Sequence, residues 1–390
     1  MIGNTAPAQP SMRFPEFSGD WIKADVDWFL QKVTKPVNVQ STQTYQEIGV
    51  RSHGKGIFHK IADAGETLGD KRVFWVVPGA LVLNIVFAWE QAVALTSDAE
   101  AGFIASHRFP MFLAGDGRAD TRFARDFFLR PRGKWLLELA SPGGAGRNKT
   151  LGQSNFAELP VTWPMQPEQR KIADFFGAVD ERIKLLQRRR DALVCYKTGL
   201  MQRLFDQSLR FTRDDGTAFP DWEDCTLGDL LAYEQPTPYL VSSTEYRDNY
   251  PTPVLTAGKT FILGYTNETQ GIYSKDLPVI IFDDFTTASK FVDFPFKAKS
   301  SAMKILKKKR KDDRISLIFD FLQSIKYVSS DHMRHWISEF QDLTIMFPQS
   351  EEQQKIADLL GALDNKITAV ASQIAHMQNF KKGLLQQMFV

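Results

Sequence analysis

Pro164 to Phe205 reads PMQPEQRKIADFFGAVDERIKLLQRRRDALVCYKTGLMQRLF, and Pro348 to Phe389 reads PQSEEQQKIADLLGALDNKITAVASQIAHMQNFKKGLLQQMF. The two stretches align without a gap at an offset of 184 positions, with 16 of 42 residues identical. Unlike sequence fills the space between them. A repeat of this kind describes two equivalent structural units that carry different modules.

Each copy predicts a long helix. In the first, Ile172, Phe176, Val179, Ile183, Leu186, Arg190, Leu193, Lys197, Leu200 and Leu204 follow one another at spacings of four and three. In the second, Ile356, Leu360, Leu363, Ile367, Val370, Ile374, Met377, Lys381, Leu384 and Met388 hold the same places. An apolar period of 3.5 sustained this long is a coiled-coil seam. About 36 residues at 1.5 Å each make a rod of about 50–55 Å. The simplest partner for each helix is the other, as an antiparallel pair, the alternative being that each packs separately on its own module. Ser350 with Gln353 reads as a capping box, and Pro167 suits a first helical turn. Lys197 and Lys381 occupy the same seam position. They either snorkel to the edge or set register, and snorkelling is the simpler expectation.

The helices divide the chain into residues 1–163, a first module; 164–206, the first long helix; 207–347, a second module; and 348–390, the second long helix. The modules open alike. Arg13-Phe14 matches Arg210-Phe211, and the stretch from Phe17 through Trp21 to Val26 parallels that from Phe219 through Trp222 to Leu227. Arg210-Phe211 follows the first helix, so Arg13-Phe14 is expected to follow the second in space. Residues 1–20 then lie near the end of that helix, in a cyclic layout with an approximate two-fold. Val73–Val77 and Ala80–Phe87 read as strand, turn, strand, and Leu277–Phe282 as a buried strand. Arg314–Gln323 has helical spacing, as does Asp126–Leu139 more weakly. The fold class is α+β, with two globular domains separated by two long helices.

The 390 residues include 30 Phe and 8 Trp, and the formal net charge is +2, so bulk charge does not announce a polyanionic partner. Cys195 and Cys225 make no disulfide framework, and Cys195 reads as a reduced thiol. The amino terminus has no basic–apolar–cleavage pattern and no run of 18 apolar residues occurs, so a cytoplasmic location without membrane contact is expected. His53, His59, His107, His332, His335 and His376 lack metal-ligand spacing with cysteine. Gly49–Gly56 imitates a P-loop, but Gly56 stands where a magnesium-binding hydroxyl is needed. Asp283-Asp284 with Lys290 lacks the second element of a metal nuclease. No (N/D)-P-P-(Y/F) motif is present to hold a flipped adenine.

The duplicated E-Q-x-K-I-A-D-x-x-G-A-x-D helix resembles the conserved regions of the specificity subunit of type I restriction–modification systems. Tyr45–His59 and Thr256–Asn267 look like target-recognition-domain phrases. The resemblance implies a non-catalytic subunit whose two target-recognition domains each read half of a split site in double-stranded DNA. The helices would act as a ruler for the unread spacer. It implies as partners two methyltransferase subunits, which bind S-adenosylmethionine, and restriction subunits, which bind ATP and Mg. A DNA turn advances about 34–36 Å, so such a rod can set two readers about one turn apart. The competing reading is a coiled-coil scaffold joining two modules that do not bind DNA.

Within the modules, Arg51, Ser52, His53, Lys55 and Lys60 are expected to approach phosphate or base edges from a glycine-rich loop, or to form a solvated turn. Arg147 and Lys149 belong to a second glycine-rich stretch that suits either a packed hinge or phosphate contact. Lys259, Thr260, Tyr265, Asn267 and Lys290 complete the second module's candidates. Lys307 and Lys308, in a basic run flanked by Lys304 and Arg314, offer nonspecific phosphate affinity or a solvated loop.

Overall fold

A computed structural model describes residues 9–69, 71–143, 149–256, 260–325, 336 and 339–389. Two helices dominate it, Gln166–Phe205 with 40 residues and Ser350–Gln387 with 38. At 1.5 Å per residue they are about 60 and 57 Å long. Their seam side chains turn inward: Ile172, Phe176, Val179, Ile183, Leu186, Ile356, Leu360, Leu363, Val370 and Ile374 are buried, and Leu193 and Ile367 are half-buried. Among the described residues, no helix is long and apolar enough to cross a membrane.

The chain forms two compact units, Met1–Leu185 with Ile374–Val390, and Leu186–Gln373. In the first unit, Ile22–Asp25 pairs antiparallel with Pro160–Trp163. The turn of helix Val26–Phe29 then leads into an antiparallel sheet ordered Leu30–Val33, Met111–Ala114, Leu81–Leu83, Val93–Leu95. Helix Thr121–Phe128 supplies Phe123 and Phe128 to a core with Trp163, Phe176 and Phe389. Phe123 stacks on Phe389 at 4.8 Å. Phe176 approaches Phe389 while Asp180, four residues further along, meets Lys381. The two helices therefore run antiparallel within this unit.

The second unit repeats the plan. Glu223–Thr226 pairs with Thr344–Phe347, helix Leu227–Leu230 follows, and the sheet runs Leu231–Glu234, Met303–Lys308, Val279–Asp283, Ser289–Val292. Val279–Asp283 is buried throughout, because both faces are covered: Ile280 and Phe282 join a core with helix Ile315–Ser324, Leu200, Leu204, Ile356 and Leu360, and Val279 and Ile281 join a second with Tyr273 and Phe296. The units differ in their outlying strands. The first has the hairpin Ile48–Val50 with Ile57–His59. The second has a three-stranded sheet of Ile262–Thr266, Thr252–Leu255 and Lys297–Ala298.

Several local expectations change. Val73–Trp75 and Leu81–Leu83 are strands but not partners, since the former pairs with Ile104–Ser106. Asp126–Leu139 is broken into Thr121–Phe128 and Pro131–Leu139. Proline pushes Arg130, the residue before it, into extended backbone. The capping box at Ser350 does not form. Ser350 Oγ donates to the Asp312 carbonyl at 3.2 Å, and the buried Gln353 amide is used elsewhere.

The seam lysines do not snorkel. Lys197 Nζ lies 2.9 Å from Asp320 Oδ1 and 2.9 and 2.8 Å from the two Asp364 oxygens. Lys381 Nζ lies 2.6 and 2.7 Å from the Asp180 oxygens. A carboxylate on the facing helix holds each ammonium where an edge position would leave it to water.

Candidate nucleic-acid interface

The shared motif builds a frame for each module. Glu168 accepts from Arg13 Nε and Nη2, both at 2.7 Å. Its counterpart Glu352 accepts from Arg210 Nε at 3.2 Å and Nη2 at 2.8 Å, and from Trp222 Nε1 at 2.8 Å. Bidentate pairs of this kind fix orientation as well as distance. Hydrogen bonding to Glu168 holds the Arg13 guanidinium above its ordinary value against the opposing effect of burial. The next residue repeats the logic. Gln169 donates to the carbonyls of Pro164 and Arg118 and accepts from the Asp120 N–H. Gln353 donates to the Pro348 carbonyl and Asp313 and accepts from the Arg314 N–H. These motif residues hold the modules to the helices. Met12 N also donates to the Gln387 carbonyl at 3.0 Å, so the segment before the first module lies against the end of the second helix.

In the first module, Arg51 to Gly56 form the turn of the hairpin, with His53, Gly54 and Gly56 at positive φ. Two of these N–H groups are committed: His53 N donates to Glu90 O at 2.7 Å and Gly54 N to Gln91 O at 3.0 Å. A Cβ on Gly54 would meet Leu129 Cδ2 at 2.8 Å. No helix follows, so the P-loop imitation is a hairpin turn. Arg51 donates to the Ile57 carbonyl and lies over the Phe58 ring. Ser52 donates to Glu90, and Lys60 pairs with Glu47 at 2.8 Å. Lys55 is exposed on the turn. Lys149 lies over the Trp89 ring at 5.4 Å, and Arg147 is outside the described residues.

In the second module, Thr260 and Asn267 are exposed and Tyr265 is half-buried around the strand Ile262–Thr266. Lys259 is outside the described residues. Lys290 is exposed opposite Ile281. The basic run is split: Lys304, Lys307 and Lys308 lie on Met303–Lys308, an interior strand of the sheet, while Lys309, Arg310 and Lys311 are exposed in the turn that follows. Lys304 is 1% exposed and faces Asp284 at 3.4 Å, which removes it from any phosphate surface. It also gives Asp284 a partner other than Lys290. Asp283 ties its own turn, accepting from the Phe285 and Thr286 N–H groups and the Thr286 hydroxyl. Lys307 pairs with Glu234 and Asp276. Lys308 donates to the carbonyls of Lys311 and Asp313. Both lysines line a cavity of about 500 Å³ with Asp313 and Arg314. Among the described residues no group of three His, Cys, Asp or Glu could hold a metal ion; His332 and His335 are outside them.

The structure adds a basic face that the sequence reading missed. Lys71, Arg72, His107 and Arg108 are exposed. Strand pairing sets Val73 opposite Ser106 and brings the two basic pairs together, with His107 N donating to the Arg72 carbonyl at 3.0 Å. They line two neighbouring clefts, of about 460 Å³ with Lys60 and about 240 Å³ with Lys32. His107 and Phe109 line both. The separation of these basic pairs along the chain hid the cluster.

A family model described as the type I restriction modification DNA specificity domain matches residues 220–376. Those residues resemble a type I specificity domain. It is 46% identical to the EcoR124I/EcoR124II specificity subunit of Escherichia coli over 166 residues, which cover 40% of each protein. It is 24% identical to the putative MjaX specificity subunit of Methanocaldococcus jannaschii over 270 residues, 62% of this chain and 61% of that one. The chain thus matches less than two thirds of the length of these curated relatives. The crystal structure of a type I restriction-modification S subunit from M. genitalium superposes with a TM-score of 0.65 at 14% identity, covering 98% of this chain and 99% of that one. A chain from a structure of the type I R-M system, described in terms of complex assembly and conformational transition, gives a TM-score of 0.54 at 15% identity, covering 95% and 97%. At such identities the structural likeness concerns the fold. In sequence and in fold, the chain resembles type I specificity subunits.

Proposed function

We propose that this chain is the DNA-recognition subunit of a type I restriction–modification complex. Each unit's module reads one half of a bipartite site in double-stranded DNA, and the helix pair sets the spacer. The subunit contributes no catalysis. It docks two methyltransferase subunits, which hold S-adenosylmethionine, and through them the restriction subunits with ATP and Mg. One observation carries the reading. The same frame, Arg13 with Glu168 and Arg210 with Glu352, is built twice around modules whose outlying strands differ. That is the economy expected of one holder serving two specificities.

On this reading the basic face of Lys71, Arg72, His107 and Arg108, with Lys55 on the hairpin turn, meets DNA in the first half-site. Thr260, Asn267 and Lys290 serve the second. Expression with the methyltransferase of the same system, followed by sequencing that detects methyladenine, should show one split, asymmetric motif. Replacing residues 22–163 with another member's first module should change one half only. Methylation of a continuous motif, or a change in both halves, would sink the reading. A scaffold joining two modules that ignore DNA would show no salt-dependent retention on duplex DNA, whereas a reader loses affinity steeply with salt.

A further inference from the structure

We propose that Lys197 is a positioning residue that locks the second recognition module and both long helices at a single register, and so makes the spacer length strict. The inference rests on the reading of the chain as a bipartite DNA reader. Lys197 Nζ joins three elements at once: its own helix, Asp364 on the second long helix, and Asp320 on the module helix Ile315–Ser324. Asp320 is buried and Lys197 largely so, with 7% and 14% of their side chains exposed. The first unit repeats only part of this. Lys381 holds Asp180 across the helix pair, while Asp126, the buried acid on that unit's module helix, takes Arg125 as its partner at 2.5 Å.

Apolar seams tolerate slippage, because a heptad shift places one aliphatic side chain where another was. Polar seam residues penalise it. Slipping the helices by seven residues would set Ala357 or Ala371 opposite Lys197, and Ala173 or Gln187 opposite Lys381. Lys197 would then lose Asp364 and Lys381 would lose Asp180, the carboxylate each holds across the helix pair. A buried ion cluster adds little net stability, and excluding alternative registers is its best-attested use. One heptad is about 10.5 Å of helix, or about three base-pair steps of 3.4 Å. Alternative registers would therefore appear as discrete alternative spacers.

The test uses the reconstituted methyltransferase complex and duplexes carrying both half-sites at the native spacing or with one to three base pairs added or removed. Lys197→Met removes the charge and keeps the bulk. It should raise methylation at wrong spacers relative to the native one by about tenfold, with half-site base preferences unchanged. Lys197→Arg should restore strictness. Asp320→Asn frees the module helix alone and should relax the spacer with the helix–helix pair intact. Asp126→Asn should not, since that carboxylate pairs directly with Arg125 and feels Lys381 only at longer range. Strict spacing in Lys197→Met, or equal effects of the two asparagine variants, would overturn the lock. If Lys197→Met fails to assemble, the two asparagine variants decide alone. Failure of the wild-type complex to methylate any bipartite site would instead refute the functional reading.

Discussion

The two arginine frames should differ in strength, and the difference is measurable. Glu352 is 1% exposed and receives three donors, two from Arg210 and one from Trp222. Glu168 is 3% exposed and receives two, both from Arg13. The counterpart tryptophan, Trp21, is buried with its Nε1 unpaired among the described residues. Removing one partner of a buried pair costs about 3–5 kcal/mol. Arg13→Ala leaves Glu168 with neither of these donors, and partial exposure of the arginine lowers the cost to about 3–4 kcal/mol. Arg210→Ala leaves Glu352 the indole N–H. A hydrogen bond to a charged group is worth about 1.5–3 kcal/mol, so the loss should fall to about 2–3 kcal/mol. Trp222→Phe should cost about 1.5–3 kcal/mol more than Trp21→Phe, because both vacate similar buried volume and Trp222 alone loses a hydrogen bond. Urea titrations with a common slope give the differences, and near-ultraviolet dichroism reports each aromatic core. Equal losses for the two arginines, or losses below about 0.5 kcal/mol as for surface pairs, would refute the argument.

Four further outcomes follow from the geometry. Leu360→Ala empties a fully buried seam position and should cost about 2–5 kcal/mol in the same titration. Gly54→Ala places a Cβ against Leu129 at φ +65° and should cost more than about 1 kcal/mol; a neutral result would mean the turn is not held as described. Burial raises the Asp126 carboxyl despite Arg125. Its folded form therefore favours the proton, and the stabilisation it contributes at low pH is lost as pH rises through the raised value. Asp126→Asn should be neutral or stabilising near neutral pH, with the benefit vanishing in acid; a benefit that grew in acid would contradict the sign. Arg72→Ala, on the basic face, should weaken binding on every duplex and lower the salt slope by about one; loss confined to one base position would make it a base reader instead.

What the sequence made legible was local or repeated. The seam of Ile172 to Ile374 follows from helical period alone. The match of Arg13 with Arg210 follows from the repeat, and the structure gives both arginines the same carboxylate. Partners set by pairing were hidden. Lys197 could not be matched to Asp364 without knowing which residues face across two helices. Lys71-Arg72 and His107-Arg108 meet only through the pairing of Val73–Trp75 with Ile104–Ser106. Lys304 was misread because a charge run suggests solvent. In an interior strand the same residue is carried into the core, where Asp284 receives it. Capping rules are local and assign the Gln353 amide to its own helix cap, whereas two of its partners, Asp313 and Arg314, lie 40 and 39 residues earlier in the chain.

The division of the long helices between two cores has a consequence for synthesis. The second unit needs residues 186–373 and can close once the second helix has been made as far as Gln373. The first unit cannot. Its aromatic core includes Phe389 stacked on Phe123 and close to Phe176. At about 5–20 residues per second, Phe389 emerges about 10–45 s after Trp163. During that interval Phe123, Phe176 and their neighbours lack their cover. The module made first is therefore completed last, and a nascent chain stalled between Gln373 and Phe389 would expose the first unit's core while the second has all its residues.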